Sequence, residues 1–303
     1  MIQSKALPAR FRRSRIALVG YGDVAARLVK QRKDLWGDAP QAPRLIPIGR
    51  STGWNLDLRS ICSRVAGCAT RWIILVPPAE SPAHITADLR SSRLANALRW
   101  PRRGHRMAAE SLVYISTTGV YGDHAGAQVT EVSPLKTTQP RSLRRIDAER
   151  TWRSLGGHIL RVPGITAEDR LPIERIRRSS PALRAEEDVY TNHIHANDLA
   201  RLAWAAVWRG RHARVTNTVM PVHLKMGDYF DQIADAFGVA RCPRVSRVEL
   251  EEAVREGTVS PMMLSFMQDS RQVLGERIPE LRIKLHYRSV GDLIRRVAGS
   301  EPQ

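Results

Sequence analysis

The stretch Arg15-Ile16-Ala17-Leu18-Val19-Gly20-Tyr21-Gly22-Asp23-Val24-Ala25 constrains this chain more than any other. A short apolar run ends in Gly-x-Gly-x-x-Ala and passes into a helical pattern, Val24-Ala25-Ala26-Arg27-Leu28-Val29-Lys30. Strand, glycine turn and helix, in that order, is the context a dinucleotide-binding fingerprint requires. Gly20 allows the tight turn, Gly22 lets the backbone approach a pyrophosphate, and Ala25 keeps helix and strand close. The amides at the helix start, around Tyr21, Gly22, Asp23 and Val24, then face the anion, aided by the helix dipole. An ordinary strand-to-helix turn would use the same residues, so the rest of the chain has to decide.

The second apolar run, Leu45-Ile46-Pro47-Ile48, carries a proline that suits an edge or irregular strand. It ends in Gly49-Arg50-Ser51. NAD-binding versions of such a fold place an acid at this strand end to hold the ribose 2′-hydroxyl. Here a fixed cation and a hydroxyl stand instead. Arg50 can grip a 2′-phosphate with its planar fork, with Ser51 beside it, so NADP is the expected cofactor and NAD the alternative. Trp54-Asn55-Leu56-Asp57-Leu58 reads as a strand end or turn leading into a helix, with Asn55 and Leu56 expected at the cofactor. Arg71-Trp72-Ile73-Ile74-Leu75-Val76 is continuously apolar, as in a strand covered on both faces, and Pro77-Pro78 stops it. Pro77 joins the expected cofactor contacts. A helix-length segment, Pro82 to Trp100, precedes another buried run, Ser111 to Thr118. This succession predicts an α/β fold with a doubly wound parallel sheet.

A chain of 303 residues with 43% hydrophobic content can fill one large domain or two unequal ones. No apolar run approaches the ~18 residues of a membrane span. The first residues lack the apolar core of a signal peptide. Cys62, Cys68 and Cys242 show no Cys-x-x-Cys spacing, so neither disulfides nor a zinc knuckle is expected, and a reduced, cytoplasmic protein is. The net charge of +18 raises nucleic acid as a partner. Yet six lysines stand against 42 arginines, dispersed with local clusters at 11–15, 99–106, 141–153 and 175–178. None has the aromatic interleaving of a single-strand binder. The expectation is a small-molecule substrate, no specific nucleic acid and no membrane, with weak nonspecific binding at low salt.

Three further stretches fall in a telling order: Ser116-Thr117-Thr118-Gly119-Val120-Tyr121-Gly122-Asp123, Arg161-Val162-Pro163-Gly164-Ile165, and Asn192-His193-Ile194-His195-Ala196-Asn197-Asp198-Leu199-Ala200. With the glycine turn, they make the chain resemble the extended, epimerase/dehydratase-like branch of the short-chain dehydrogenase/reductases over most of residues 15–220. The resemblance implies a Rossmann-type domain with a smaller, mainly helical C-terminal substrate lobe. It divides the chain into a basic lead-in (1–14), a cofactor-binding domain (15–218) with a substrate-lobe insertion near 166–188, and the lobe (219–303). It also implies Pro163 at the cofactor, a monomer or homodimer, and an NADP-dependent oxidoreductase or epimerase/dehydratase-like enzyme.

Mapped by position, Thr117 falls at the family's catalytic Ser/Thr. The family's Tyr-x-x-x-Lys then falls on Arg141-Ser142-Leu143-Arg144-Arg145, with Arg141 at the tyrosine and Arg145 at the lysine. Arg stays protonated, so Arg141 cannot exchange a proton, while Arg145 can hold a ribose hydroxyl or an anionic substrate. Two repairs are conceivable. Tyr121 supplies the proton if a neighbouring Arg depresses its pKa, or an anionic substrate is stabilised by Arg141 or Arg145 with water as proton source. A packed aromatic is the competing reading of Tyr121, and loop polarity that of Asp123, His124 and Glu131. The broken motif also admits a non-catalytic NADP-binding sensor or partner-binding protein. His193 and His195 alternate on a strand without a recognisable third ligand, so no metal is expected. Asp198 reads as the N-cap of the helix from Leu199, and Arg271 as a weaker substrate-contact candidate against a solvated Arg. Met226 to Gly238 reads as a core helix with an aromatic stripe, and Val248 to Glu256 and Pro261 to Gln268 as two shorter helices.

Overall fold

The computed structural model describes residues 14–79, 83–100, 109–260, 264 and 267–299. The basic lead-in, most of the 99–106 arginine cluster and most of the helix expected over 261–268 lie outside these residues. Within them the chain divides into two compact units, the first made of Met1–Ser116, Leu143–Leu160 and Ala200–Val215, and the second of Thr117–Ser142, Arg161–Leu199 and Thr216–Gln303. The expected lobe covers 219–303 with an insertion near 166–188; the two units interleave at more points along the chain.

The first unit carries β1 (Arg15–Val19), β2 (Arg44–Ile48), β3 (Arg71–Ile74) and β4 (Ser111–Thr117) up to Ser116, with the starts of β5 (His158–Val162) and β6 (Val215–Asn217). They form one sheet in the order β6-β5-β4-β3-β1-β2. β1 pairs in parallel with β2 and β3, and β3 with β4. Ile159 donates to the Arg214 carbonyl and Thr218 to that of Arg161, so β5 and β6 also advance together. The continuous apolarity of β1 and β3 has the expected cause, since both are buried on both faces. β2 is an edge strand, which is where Pro47 costs no ladder bond.

α1 (Asp23–Trp36) starts at Gly22, buries Ala25 and Leu28, and stops at Gly37, whose amide returns to the Lys33 carbonyl at 2.7 Å. α2 (Arg59–Val65) follows the Trp54–Leu58 turn. α3 (Leu89–Arg99) starts later than expected, because the Asp88 carboxylate accepts the Arg90 amide and caps it. α4 (Pro140–Arg153) meets α3 through Trp152, whose indole donates to Ser91 at 3.0 Å. α5 (Ala196–Arg209) reaches α1 through Trp204, which donates to the Leu28 carbonyl and lies 5.1 Å from the Trp36 ring. Trp72, Tyr114 and Trp152 are the largest side chains of this core.

The second unit has its own core. α6 (Met226–Ala236) turns Tyr229, Phe230 and Ile233 inward, as its aromatic spacing predicts. α7 (Arg247–Arg255) contributes Leu250, and α8 (Val290–Ala298) contributes Val290, Leu293 and Ile294. Among the described residues four two-stranded pairs complete it, including Gly164–Thr166 with His193–His195 in parallel. α7 and α8 each begin with a reciprocal Ser–acid cap, Ser246 with Glu249 and Ser289 with Asp292.

Candidate functional site

Gly20 ends β1 with φ +93°, and a Cβ there would sit 2.8 Å from the Val76 amide nitrogen. The turn therefore needs glycine on two counts, backbone conformation and close approach. Gly22 is different. Its φ of −114° suits any residue, and no atom lies within 4 Å of where its Cβ would be. Open space over the first amides of a helix is what a bound pyrophosphate uses, so the turn fits the group that the sequence implies.

Beside this turn lies a cavity of about 330 Å³ at the carboxyl ends of β1, β2 and β3, where the strand order reverses direction. Such a switch point is where open α/β sheets bind ligands. Gly20, Tyr21, Arg50, Ser51, Asn55, Leu56 and Pro77, each expected at the cofactor, all line this cavity. Gly22, Asp23 and Val24 are not among its lining residues and sit on the adjoining turn and first helical residues, where the Asp23 carboxylate takes the Arg27 guanidinium at 2.9 Å. Pro163 belongs to the second unit and is not a lining residue. Arg50 opens a short turn over Arg50–Thr52 that Thr52 fastens by accepting the Gly49 amide at 3.0 Å. Sequence reading missed Trp54, Asp57 and Arg90. Trp54 and Asp57 flank two residues it did select, whereas Arg90 lies 33 positions from the Asp57 carboxylate it grips.

In the second unit, Thr117 begins a 3₁₀ turn over Thr118–Tyr121, and its hydroxyl accepts the Gly119 amide at 3.1 Å. A Cβ on Gly119 would meet Ser142 Oγ at 3.1 Å, so the turn fits closely around residue 142. Tyr121 is fully buried. Its hydroxyl donates to Asn217 Oδ1 at 2.7 Å and accepts from Arg161 Nη1 at 3.0 Å. Burial pushes this hydroxyl up, and the opposing pull of Arg161 and Asn217 does not bring it back to its ordinary value. The expected depression by a neighbouring arginine does not occur. Tyr121 is a packed, hydrogen-bonded aromatic, and the role of proton carrier is withdrawn from it.

The loop polar groups have structural partners too. Asp123 accepts the amides of Ala125 and Ser270, at 3.1 and 2.8 Å. Burial would raise its carboxyl, but these amides and Arg271 together hold it below the usual range. Glu131, buried, accepts the amides of Asn217 and Arg277 at 3.0 and 3.2 Å. Arg271 is no solvated surface group. Its Nη1 donates to the Gly122 carbonyl at 2.8 Å, and burial lowers its pKa.

Arg141 is exposed and donates to Gln139 Oε1 at 2.9 Å. Arg145, half-buried in the first unit, donates through Nη1 to the Ile115 carbonyl at 2.8 Å and the Tyr114 hydroxyl at 3.0 Å. It thus braces β4 just before the strand leaves the unit. One residue on, Ser116 donates to the buried Glu149 at 2.6 Å. His193 lies 4.6 Å from the Tyr229 ring and His195 stacks on Tyr287 at 3.8 Å. Among the described residues no group of three or more His, Cys, Asp and Glu is placed to hold a metal ion. Asp198 is not the helix cap expected of it. α5 begins two residues earlier, with His195 Nδ1 accepting the Asn197 amide, and Asp198 instead accepts the amides of His286 and Tyr287 at 2.8 and 3.0 Å.

No family model matches the sequence, and no curated protein matches it. Solved structures do match over nearly the whole chain. A conserved protein of unknown function from Silicibacter pomeroyi DSS superposes with a TM-score of 0.72 at 23% identity, covering 94% of this chain and 98% of its own. The human epimerase family protein SDR39U1, solved with NADPH, gives 0.71 at 13% identity, covering 95% and 100%. The dTDP-glucose 4,6-dehydratase of Bacillus anthracis str. Ames, solved with NAD, gives 0.70 at 13%, covering 94% and 96%. At these identities the likeness is one of fold.

Proposed function

On a chain with the Rossmann-type fold of the NAD(P)-dependent epimerases and dehydratases, we propose an NADP-binding oxidoreductase or epimerase/dehydratase-like enzyme with a non-standard active site, acting on a small polar substrate. The observation that carries the reading is the open Gly22 turn beside a cavity whose lining includes Arg50 and Ser51. The amides from Tyr21 to Val24 would hold the pyrophosphate. Arg50 and Ser51 would hold the 2′-phosphate, with Asn55, Leu56 and Pro77 beside them. When bound, the nicotinamide supplies hydride exchange with a carbon of the substrate.

Thr117 offers a hydroxyl to the reacting oxygen. Arg141 suits an anionic substrate, whose charge would be met by a cation that never deprotonates. With Tyr121 withdrawn, solvent is the proton source, and turnover is slower than with a positioned acid/base pair, which typically contributes ~10²–10⁴-fold. Arg145 is a brace for β4 in this reading, and a contact to the ribose remains its second role.

The first test is binding. NADPH titrated into the protein should be held more tightly than NADH, and Gly22→Ala should weaken both while leaving the melting temperature unchanged. Arg50→Ala should weaken NADPH much more than NADH. Equal losses for the two nucleotides would count against a 2′-phosphate contact. A second reading, a non-catalytic NADP-binding sensor, is favoured by the two arginines at 141 and 145 and by the sealed Tyr121. Following NADPH absorbance against carbonyl compounds and nucleotide sugars separates the two. Tight NADPH binding with no turnover on any of them supports the sensor.

A further inference from the structure

Among the described residues three charged side chains line the cofactor cavity, Arg50, Asp57 and Arg90, and they are not equivalent. Arg90 Nε donates to Asp57 Oδ1 at 2.9 Å and its Nη2 to Oδ2 at 3.1 Å, a two-pronged pair. The third prong, Nη1, donates to the Pro77 carbonyl at 3.0 Å. Asp57 is fixed from behind as well: its amide donates to Asn55 Oδ1 and its carbonyl accepts Arg93 Nη1, both at 3.0 Å. Arg50, by contrast, is exposed, and among the described residues its side chain makes no ion pair.

Resting on the NADP reading above, we infer that Asp57 is a specificity-determining residue that acts through charge, cancelling Arg90 so that, among the described lining residues, Arg50 is the uncompensated cation. The carboxylate sits where a nucleotide could reach it, yet both its oxygens are turned to the guanidinium. A bidentate pair of this kind is geometrically demanding, so Asp57 is held away from the nucleotide rather than offered to it. The cavity keeps one net positive charge of a potential two. Asp57 thereby tempers the preference for a 2′-phosphate over a 2′-hydroxyl.

The two halves of the pair predict opposite signs. Asp57→Asn keeps the shape and removes the cancelling charge, so the ratio of NADPH to NADH affinity should rise, by about three- to tenfold at low salt, the scale of one added unit charge in a solvated cavity. Arg90→Gln leaves Asp57 uncompensated, so the same ratio should fall by a similar factor. Both changes should shrink at high salt, because the contact is screened. Dissociation constants for NADPH and NADH, measured by calorimetry on the wild type and both variants at two salt concentrations, decide the matter. Thermal melts identify which variants are folded, and either one alone still carries the sign. Asp57→Asn weakening both nucleotides alike would overturn the inference, since it would place the carboxylate on the nucleotide itself. An unchanged ratio would overturn it equally. If the wild type binds neither nucleotide, the NADP reading fails first and this inference with it.

Discussion

Replacing Tyr121 by Phe would strip one hydroxyl, strand the buried acceptor Asn217 Oδ1 and take one acceptor from Arg161 Nη1. The expected cost is about 1–3 kcal/mol, the usual penalty for unsatisfied buried polar groups, read as a lower midpoint of chemical denaturation. Any NADPH-dependent turnover should keep the shape of its pH profile in that variant. Loss of a titrating limb would return the proton-carrying role to Tyr121. The tyrosine could be found from the Val-Tyr-Gly motif, but its surroundings could not. Its partners come from 40 and 96 residues away, and only the folded chain shows that they enclose it. Gly20 was legible for the opposite reason, since its positive φ belongs to a local turn that sequence spacing encodes, although the close approach of Val76 was not. Arg50 sits between these cases, found by its place at a strand end and given meaning by the cavity. Asp57 and Arg90 were passed over because two surface-type charges declare nothing until they meet.

The strands of the sheet were readable because burial on both faces demands continuous apolar runs, and Pro47 marked the edge strand for want of an amide. Helix starts were less so. Asp88, not the vicinity of Pro82, begins α3, because its carboxylate takes the amides of Arg90 and Ala79 at 3.1 and 3.0 Å. Asp88→Ala should therefore destabilise the protein by about 1–2 kcal/mol, since two half-buried amides lose their acceptor. A denaturation midpoint within error of wild type would show that water replaces the carboxylate. Asp198 carries the converse lesson. It has the right residue type and near-right place for a cap, but His195 takes the amide at the helix start, and the carboxylate is spent on the distant amides of His286 and Tyr287.

For the whole molecule, the charge of +18 reads differently once its arginines are traced. Arg71, Arg90, Arg144, Arg145, Arg244 and Arg247 each donate to a main-chain carbonyl, so part of the basic complement serves as internal cross-bracing. Nucleic-acid binding should then be weak and fall away steeply as salt approaches physiological strength. Retention of duplex or single-stranded DNA at that salt in a mobility-shift titration would contradict this. Composition alone could not separate bracing from an anion-seeking face, because both use the same residue. The interleaving of the two units has a consequence for biosynthesis. The chain passes from one unit to the other five times, at 116/117, 142/143, 160/161, 199/200 and 215/216. The first unit lacks its last segment until residue 215 has left the ribosome, and the second until the end of the chain. No piece shorter than the first 215 residues can therefore complete either unit, and a nascent chain stalled before that point should be protease-sensitive rather than half-folded.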